Sequence, residues 1–356
     1  MTSPLLQVRD LRTYFATDRG EARAVDGISF EVREGETVAL VGESGCGKSV
    51  TALSILRLLP EPPGRLLAGS SVQLRGEELI SAAESRLREV RGGEISMIFQ
   101  EPMTSLNPLL TIGQQVSEAI REHEAMSIAT GERGGAAARR AAIEWLDRVG
   151  IPDPEHRYAY YPHQPSGGMR QRVMIAMALS TRPSLLIADE PTTALDVTVQ
   201  RQILELLASL QRELGTAVLL ITHDLGVVAQ VADRVLVMYA GQIVEEASVG
   251  ALFRAPQHPY TEGLLQAIPD LEERRERLAE IPGNVPHATA WPPGCRFRPR
   301  CPYAWSRCRD VPDLRPSGPA EQTAVRCWLA DEPERRSGSG FGLRTPDSRR
   351  EGVGES

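Results

Sequence analysis

Short apolar runs alternate along this chain with segments whose apolar residues recur at helical spacing. Three runs predict buried strands: 37–41 (TVALV), 185–190 (LLIADE) and 217–221 (AVLLI). Helical spacing predicts helices at 50–59, 136–149 and 166–179, and a further helix in which Ile203, Leu207, Leu210 and Leu214 share one face. A hairpin is expected from Val235 to Glu245, turning at Gly241. Strands separated by helices are typical of an α/β fold.

The segment between the first strand and the first helix carries recognisable chemistry. It reads Gly42-Glu-Ser-Gly-Cys-Gly47-Lys48-Ser49, the G-x-x-x-x-G-K-S pattern of a phosphate-binding loop in its strand–loop–helix context. Glycines let successive backbone N–H groups surround a phosphate, and the positive end of the helix adds attraction. We expect Lys48 to reach the β and γ phosphates and the Ser49 hydroxyl to ligate Mg²⁺. The predicted nucleotide-binding residues here are Gly42, Ser44, Gly45, Cys46, Gly47, Lys48, Ser49 and Val50, with Cys46 as a packing residue.

Composition sharpens this picture. Of 40 basic residues, Lys48 is the only lysine; codon bias explains the arginines but leaves open why one ammonium remains. The length of 356 residues allows two or three domains, and a net charge of −7 argues against nucleic acid as a partner. The longest apolar run, 173–179, is too short to span a bilayer, and no export signal opens the chain, so we expect a soluble cytoplasmic protein.

Two carboxylates end the strand at 185–190. Ligands of open α/β sheets bind at the carboxyl ends of strands, where this pair should lie. We expect Asp189 to hold Mg²⁺, directly or through water, and Glu190 to orient or deprotonate the attacking water. Without the phosphate-binding loop, a strand running into a polar turn would be the preferred interpretation.

Further motifs give the chain a family resemblance. Ser166-Gly167-Gly168-Met-Arg-Gln-Arg resembles the signature motif of ABC transporter nucleotide-binding subunits, with Ser166 placed to cap a helix. Gln100 resembles the Q-loop glutamine, His223 the switch histidine, and Ala194-Leu195-Asp196 the D-loop. Each match is weak alone, but their order over residues 1 to about 250 is typical of that family.

The resemblance implies an architecture and a set of roles. The expected fold is a P-loop NTPase (RecA-like) core with an antiparallel β subdomain and an α-helical subdomain at about 101–178, within a nucleotide-binding domain spanning 1–252. It assigns Glu190 as catalytic base, His223 as a contact to the γ phosphate, and Gln100 as a sensor of Mg²⁺ and water. Phe15 fits adenine stacking best, with Tyr14 second and core packing as the alternative for both.

The same resemblance implies assembly. The signature residues of one subunit cover the ATP bound by another, so this chain needs a second ATPase subunit, for which a related chain is preferred over a second copy. Pro165 departs from the Leu or Phe usual before the signature serine; proline is tolerated just outside a helix start.

Residues 97–113 and 161–179 resemble the oligopeptide and dipeptide permease ATPases. This predicts ATP hydrolysis that energises peptide import, two membrane permease subunits, an extracytoplasmic solute-binding protein, and a peripheral location on the cytoplasmic face of the inner membrane. Nickel or another small solute is the alternative cargo. A soluble ABC ATPase acting on DNA or ribosomes, or a non-hydrolysing ATP-binding module, fits less well.

Beyond about residue 252 the composition changes. Cys295, Cys301, Cys308 and Cys327 lie in a Pro-rich segment, which we interpret as part of a small Cys/Pro-rich C-terminal extension at 253–330. Disulfides are rare in the cytoplasm, and the tight Cys pairs of zinc sites are absent. The peptide-permease resemblance favours a 4Fe-4S cluster, with zinc and unligated packing cysteines as alternatives. Residues 331–356 are polar and predict a disordered tail.

Overall fold

The computed structural model describes six stretches of the chain: 3–100, 105–124, 135–193, 195–267, 281–317 and 323–336. Its strands are β1 (Leu6–Thr17), β2 (Gly20–Val32), β3 (Thr37–Val41), β4 (Gly64–Leu66), β5 (Ser71–Leu74), β6 (Glu77–Glu78), β7 (Ile95–Ile98), β8 (Leu185–Asp189), β9 (Ala217–Thr222), β10 (Arg234–Tyr239), β11 (Gln242–Ser248), β12 (Arg315–Ser317) and β13 (Thr323–Val325). Its helices are α1 (Lys48–Ile55), α2 (Glu84–Glu89), α3 (Ile112–Glu124), α4 (Gly135–Arg148), α5 (Pro154–Arg157), α6 (Gly167–Leu179), α7 (Val197–Leu214), α8 (Leu225–Val231), α9 (Val249–Arg254) and α10 (Pro259–Gln266).

The larger sheet explains why the short apolar runs form strands. Its order is β12-β13-β11-β10-β3-β9-β8-β7, and the five strands from β10 to β7 are parallel. Every residue of β3 and β8 is buried, as expected for parallel strands covered on both faces. The carboxyl ends of β3, β8 and β9 therefore meet at one edge, where ligands of α/β sheets bind.

The remaining layers match the predicted architecture. A second, antiparallel sheet has the order β2-β1-β5-β6, with β4 paired to β1. Helices α3, α4 and α6 share an apolar cluster that includes Val116, Leu146 and Ile175. A parallel α/β core with an antiparallel sheet and a helical layer is the fold predicted from the sequence.

One predicted helix ends early. The apolar spacing from Val50 to Leu59 predicts ten helical residues, but α1 stops at Ile55. Arg57, just beyond, has φ +51°, a left-handed conformation that a continuing helix does not allow.

The C-terminal extension continues the main sheet. Strand β13 pairs antiparallel with β11, so residues after 252 add two strands to the sheet that carries the phosphate-binding loop. At the other end of the extension, Trp291 Nε1 donates to the Arg23 carbonyl (3.3 Å), and the Arg23 N–H donates to the Ala288 carbonyl (3.0 Å). The extension therefore packs against both sheets.

The predicted disordered tail starts too early at Asp331. Pro333–Arg336 form a 3₁₀ turn, and Arg336 Nη1 donates to Glu262 Oε1 at 3.0 Å. A partly buried guanidinium–carboxylate contact fixes this segment, so the prediction of disorder applies only beyond Arg336, outside the described residues. Across the described stretches, no helix is both long enough and apolar enough to cross a membrane.

Candidate active site

The phosphate-binding loop joins β3 to α1, and its backbone requires glycine at defined positions. Gly42, Gly45 and Gly47 have φ of +154°, +78° and +112°. A Cβ at Gly42 would lie 2.2 Å from the Met238 carbonyl oxygen, and one at Gly47 would lie 2.4 Å from that of Ala24. Close backbone neighbours leave no room for a side chain at Gly42 and Gly47, whereas at Gly45 only the left-handed backbone favours glycine.

Lys48 opens α1 and is buried within the loop. Its Nζ donates to the carbonyl oxygens of Gly42 (2.8 Å) and Glu43 (3.1 Å). The N-cap position, Gly47, makes no side-chain capping bond to α1. The first N–H groups of α1 and an ammonium therefore lie together at the start of this helix, an arrangement suited to a phosphate group.

Cys46 lies inside the loop and behaves as a packing residue. Its side chain is buried, and burial raises the pKa of the thiol to about 11. Its carbonyl oxygen accepts the Gly241 N–H at 2.9 Å, which ties the loop to the β10–β11 turn. A protonated, buried thiol is a poor nucleophile. Ser44 and Gly45 lie exposed at the loop tip, whereas Val50 packs against the main core.

Asp189 ends β8 and has the features of a cation ligand. Burial raises the pKa of this carboxyl, a Ser49 hydrogen bond opposes the rise, and the Glu190 charge adds to it. Its Oδ1 is buried and has no hydrogen-bond partner within the described residues. A buried, unpartnered carboxylate oxygen beside a hydroxyl fits Mg²⁺, which prefers oxygen ligands. The structure thus brings Ser49 and Asp189 together, as the metal prediction requires.

Glu190 receives contacts from three separate segments. Gln100 Nε2 donates to Oε2 at 3.1 Å, Thr193 Oγ1 donates to Oε2 at 2.9 Å, and His223 Nδ1 lies 3.2 Å from Oε1. Burial alone would raise the pKa of Glu190, but the hydrogen bonds from His223 and Thr193 outweigh it and hold the pKa below its usual value. The side chain is therefore a carboxylate at neutral pH, as a general base must be.

Thr193 is a contact that the sequence motifs do not reveal. It lies in the turn after β8, where its N–H donates to the Glu190 carbonyl at 3.1 Å. The only sequence signal is a hydroxyl residue three positions after the carboxylate. Because hydroxyl side chains commonly form hydrogen bonds with the backbone in turns, the sequence alone does not indicate a role for Thr193 at the site.

The signature residues open α6 as predicted. Ser166 is the N-cap and accepts the Met169 N–H at 3.4 Å. A Cβ at Gly168 would lie 2.7 Å from Val199 Cγ1, so α7 packs closely on this turn. Asp196 caps α7 by accepting the N–H groups of Thr198 and Val199. Gly167 lies beside Leu195, while Ala194 is outside the described residues.

The two aromatic candidates for adenine stacking differ in environment. Tyr14 is buried, and its hydroxyl donates to Asp26 Oδ1 at 2.5 Å. Phe15, on the same strand, stays half-buried beside Gly64. Only Phe15 keeps part of its ring accessible, which supports it over Tyr14.

The four cysteines of the extension do not form a recognisable metal site. Cys295 and Cys301 pack beside the apolar cluster of Tyr239 and Phe297, whereas Cys327 belongs to a separate cluster with Val325 and Leu329. Burial raises the pKa of Cys301, and the charges of the other three thiols raise it further. Throughout the described stretches, no group of three or more Cys, His, Asp or Glu residues is placed to hold a metal ion. The predicted iron–sulfur site is therefore not supported by this geometry.

Comparison with known proteins identifies the family. The sequence profile of the ABC transporter family matches residues 25–193, and that of the oligopeptide/dipeptide transporter C-terminal region matches residues 244–308. The chain is 55% identical to a putative peptide import ATP-binding protein of Brucella abortus over 86% of this chain and 90% of that one. It is 52% identical to the oligopeptide transport ATP-binding protein AppD of Bacillus subtilis over 93% and 98% of the two chains.

A further relative and a solved structure indicate the same family. The chain is 52% identical to the dipeptide transport ATP-binding protein DppD of Escherichia coli over 86% of this chain and 90% of that one. The ATP-binding cassette MJ0796, solved as a dimer in a post-hydrolysis state bound to ADP and Pi, superposes with a TM-score of 0.59 at 27% identity, covering 68% of this chain and 98% of that chain. Because two family profiles match successive parts of the chain and its relatives are 52–55% identical, the chain belongs to the ABC transporter family, among the ATP-binding subunits of the oligopeptide/dipeptide group.

Proposed function

We propose that this protein hydrolyses ATP and thereby drives the import of peptides through separate membrane subunits. The observation that carries the proposal is the set of contacts around Glu190. Gln100, Thr193 and His223 all reach its carboxylate, which lies one residue from Asp189. A carboxylate kept ionised next to a magnesium ligand and a phosphate-binding loop is suited to activating water.

The residues divide the reaction between them. Lys48 and the loop N–H groups bind the β and γ phosphates, while Ser49 and Asp189 would hold Mg²⁺ and Gln100 would act as its sensor. When bound, Mg²⁺ neutralises charge on the phosphate oxygens. Glu190 accepts the proton of the attacking water, and His223 contacts the γ phosphate. Phe15 stacks on adenine. What supports these roles is the shared carboxyl edge of β3, β8 and β9.

A second ATPase subunit completes each site. Ser166, Gly167 and Gly168 face the ATP of the partner, and Asp196 lies at the subunit contact. Two observations support this assembly: α6 begins at a capped, exposed Ser166, and the similar solved cassette is a dimer. Two bound nucleotides then hold the dimer together, and loss of the γ phosphate weakens it.

Family membership implies membrane permease partners, and the finer assignments are proposals. We infer two permease subunits, a related rather than identical second ATPase, and an extracytoplasmic solute-binding protein that reaches this chain only through the permease. The protein then sits peripherally on the cytoplasmic face of the membrane. The names of the relatives, which include peptide, oligopeptide and dipeptide import, support peptides as the cargo.

An iron–sulfur cluster is not needed for this function, and no step above uses one. That prediction rests on the spacing of the four cysteines, on the rarity of cytoplasmic disulfides and on the resemblance to peptide-permease ATPases. Iron analysis and visible absorbance of anaerobically purified protein test it. Stoichiometric iron would establish the cluster, and an iron-free, colourless protein would leave the cysteines as packing residues.

The proposed function is tested by replacing Lys48 with Ala. The variant should lose ATP binding at least about a hundredfold, because a buried charge–phosphate contact disappears. Peptide uptake by vesicles carrying the assembled transporter should stop. Thermal melting without nucleotide provides the folding control. Unchanged binding and uptake in a normally folded variant would refute the proposal.

A further inference from the structure

Two side chains of the C-terminal extension hold one residue of the phosphate-binding loop. The residue is Glu43, which follows the first glycine of the loop. Its N–H donates to the Tyr260 hydroxyl at 2.8 Å, and its Oε2 accepts from Arg300 Nη1 at 2.9 Å. Tyr260 lies on α10 and Arg300 lies 40 positions further along, so both contacts come from beyond the cassette core.

Arg300 is itself rigidly held. Its Nε donates to the Pro282 carbonyl at 2.9 Å and its Nη2 donates to the Ile281 carbonyl at 3.2 Å. Its side chain is only 5% exposed. Two sides of the planar guanidinium are fixed by the extension and the third faces Glu43. A lysine could not reproduce this fork of donors.

Tyr260 is fixed by aromatic packing. Its ring centroid lies 4.7 Å from that of Tyr239, on β10, and 5.4 Å from that of Phe297. The three rings are fully buried. Because buried aromatic side chains lose little mobility when they form a contact, the hydroxyl presents a fixed acceptor to the loop.

The held residue is also the one that Lys48 contacts. Lys48 Nζ donates to the Glu43 carbonyl as well as to Gly42. The Glu43 N–H points to Tyr260, its carboxylate to Arg300 and its carbonyl to the lysine. The orientation of the backbone beside the ammonium therefore depends on two residues of the extension.

We propose that Arg300 and Tyr260 are positioning residues for ATP binding, which hold the phosphate-binding loop in its binding geometry through Glu43. This inference rests on the proposed function and assigns to the extension a role at the nucleotide site. Neither side chain touches ATP. They reduce the cost of ordering the loop, so their loss weakens binding rather than the chemical step.

The test measures equilibrium binding of Mg–ATP to the full-length chain and ATP turnover by the assembled transporter. Tyr260→Phe, Glu43→Ala and Arg300→Ala should each raise the dissociation constant about tenfold. Turnover at saturating ATP should stay within about threefold of wild type, since KM and not kcat carries the effect. Arg309→Ala, an exposed arginine of the same extension, is the matched control and should bind normally.

A double variant separates positioning from general stability. If Glu43 and Arg300 act through one contact, combining Glu43→Ala with Arg300→Ala should weaken binding no more than the worse single variant. Additive losses, or unchanged ATP affinity in the folded Tyr260→Phe and Glu43→Ala variants, would overturn the inference. If Arg300→Ala does not fold, these two variants decide. Wild-type protein that binds ATP without supporting peptide uptake would refute the proposed function but not this inference.

Discussion

The nucleotide edge of the main sheet and the C-terminal extension use their polar side chains in opposite ways. At the edge, Gln100, Thr193 and His223 come from separate loops and meet at one carboxylate. In the extension and the turn that follows it, Arg300, Arg336 and the buried His258 form hydrogen bonds to backbone and side chains inside the protein. The first region orients a carboxylate beside the unpartnered Asp189 Oδ1, whereas the second holds backbone in place.

The effects of substitutions in the two regions should therefore be separable by experiment. A change at the sheet edge should affect turnover and leave melting unaltered. A change among the buried polar groups of the extension should alter stability, and its dependence on pH, before it alters chemistry.

The largest effect is expected for Glu190→Gln. Glutamine keeps the shape of the side chain but cannot accept a proton, so turnover should fall by about 10²–10⁴. ATP binding should persist, and the closed dimer should accumulate. Turnover by the assembled transporter and dimerisation with ATP measure this. Glu213→Gln, on the exposed face of α7, is the control. Near wild-type turnover would show that the base lies elsewhere.

A smaller effect, on stability, is expected at Glu245. This fully buried carboxyl on β11 accepts the N–H groups of Gln257 (2.7 Å) and His258 (2.8 Å), and burial raises its pKa to about 7. The folded protein therefore binds this proton more tightly than the unfolded chain. Stability should fall as pH rises from 4.5 towards about 7, by at most about 1.4 kcal/mol per pH unit.

Glu245→Gln should flatten that fall because the amide does not titrate, and it should lower stability at every pH because its Nε2 replaces one of the two oxygens that accept backbone N–H groups. Denaturant unfolding across this pH range measures the slope, with the exposed Glu205→Gln as control. An unchanged slope in Glu245→Gln would mean that other groups set the pH dependence.

The smallest effect is expected for Pro165→Leu. Pro165 is buried, yet α6 still begins with a capped Ser166, so its replacement should change the helix start little. Turnover of the assembled transporter should change less than tenfold. A larger change would show that proline alters how the signature residues reach the partner's nucleotide.

The positions of the candidate site residues could be predicted where those residues are contiguous in the chain. The phosphate-binding loop needs particular backbone angles over eight residues, and those angles demand glycines that the sequence displays. The sequence places Asp189 and Glu190 at the carboxyl end of an apolar run, and strand β8 does end at Asp189. The contact between Thr193 and Glu190 could not be predicted, because it depends on the conformation of the Glu190 side chain, which no local sequence pattern indicates.

The extension was predictable only in outline. Strand β13 has three residues, Thr323 to Val325, too few to show any periodicity. Its pairing with β11 depends on packing between distant segments. Cysteine spacing likewise cannot distinguish ligands from packing residues, since the difference lies in how the thiols face one another. Glu245 looked like a polar hairpin residue, and only the fold shows it enclosed.

The chain's only lysine has a practical consequence. Lys48 Nζ is buried and hydrogen-bonded to two loop carbonyls. Reagents that acylate amines therefore find a single side-chain amine in this chain, and it lies in the proposed triphosphate site. Mass spectrometry of acylated protein would thus report loop opening directly, without any engineered probe.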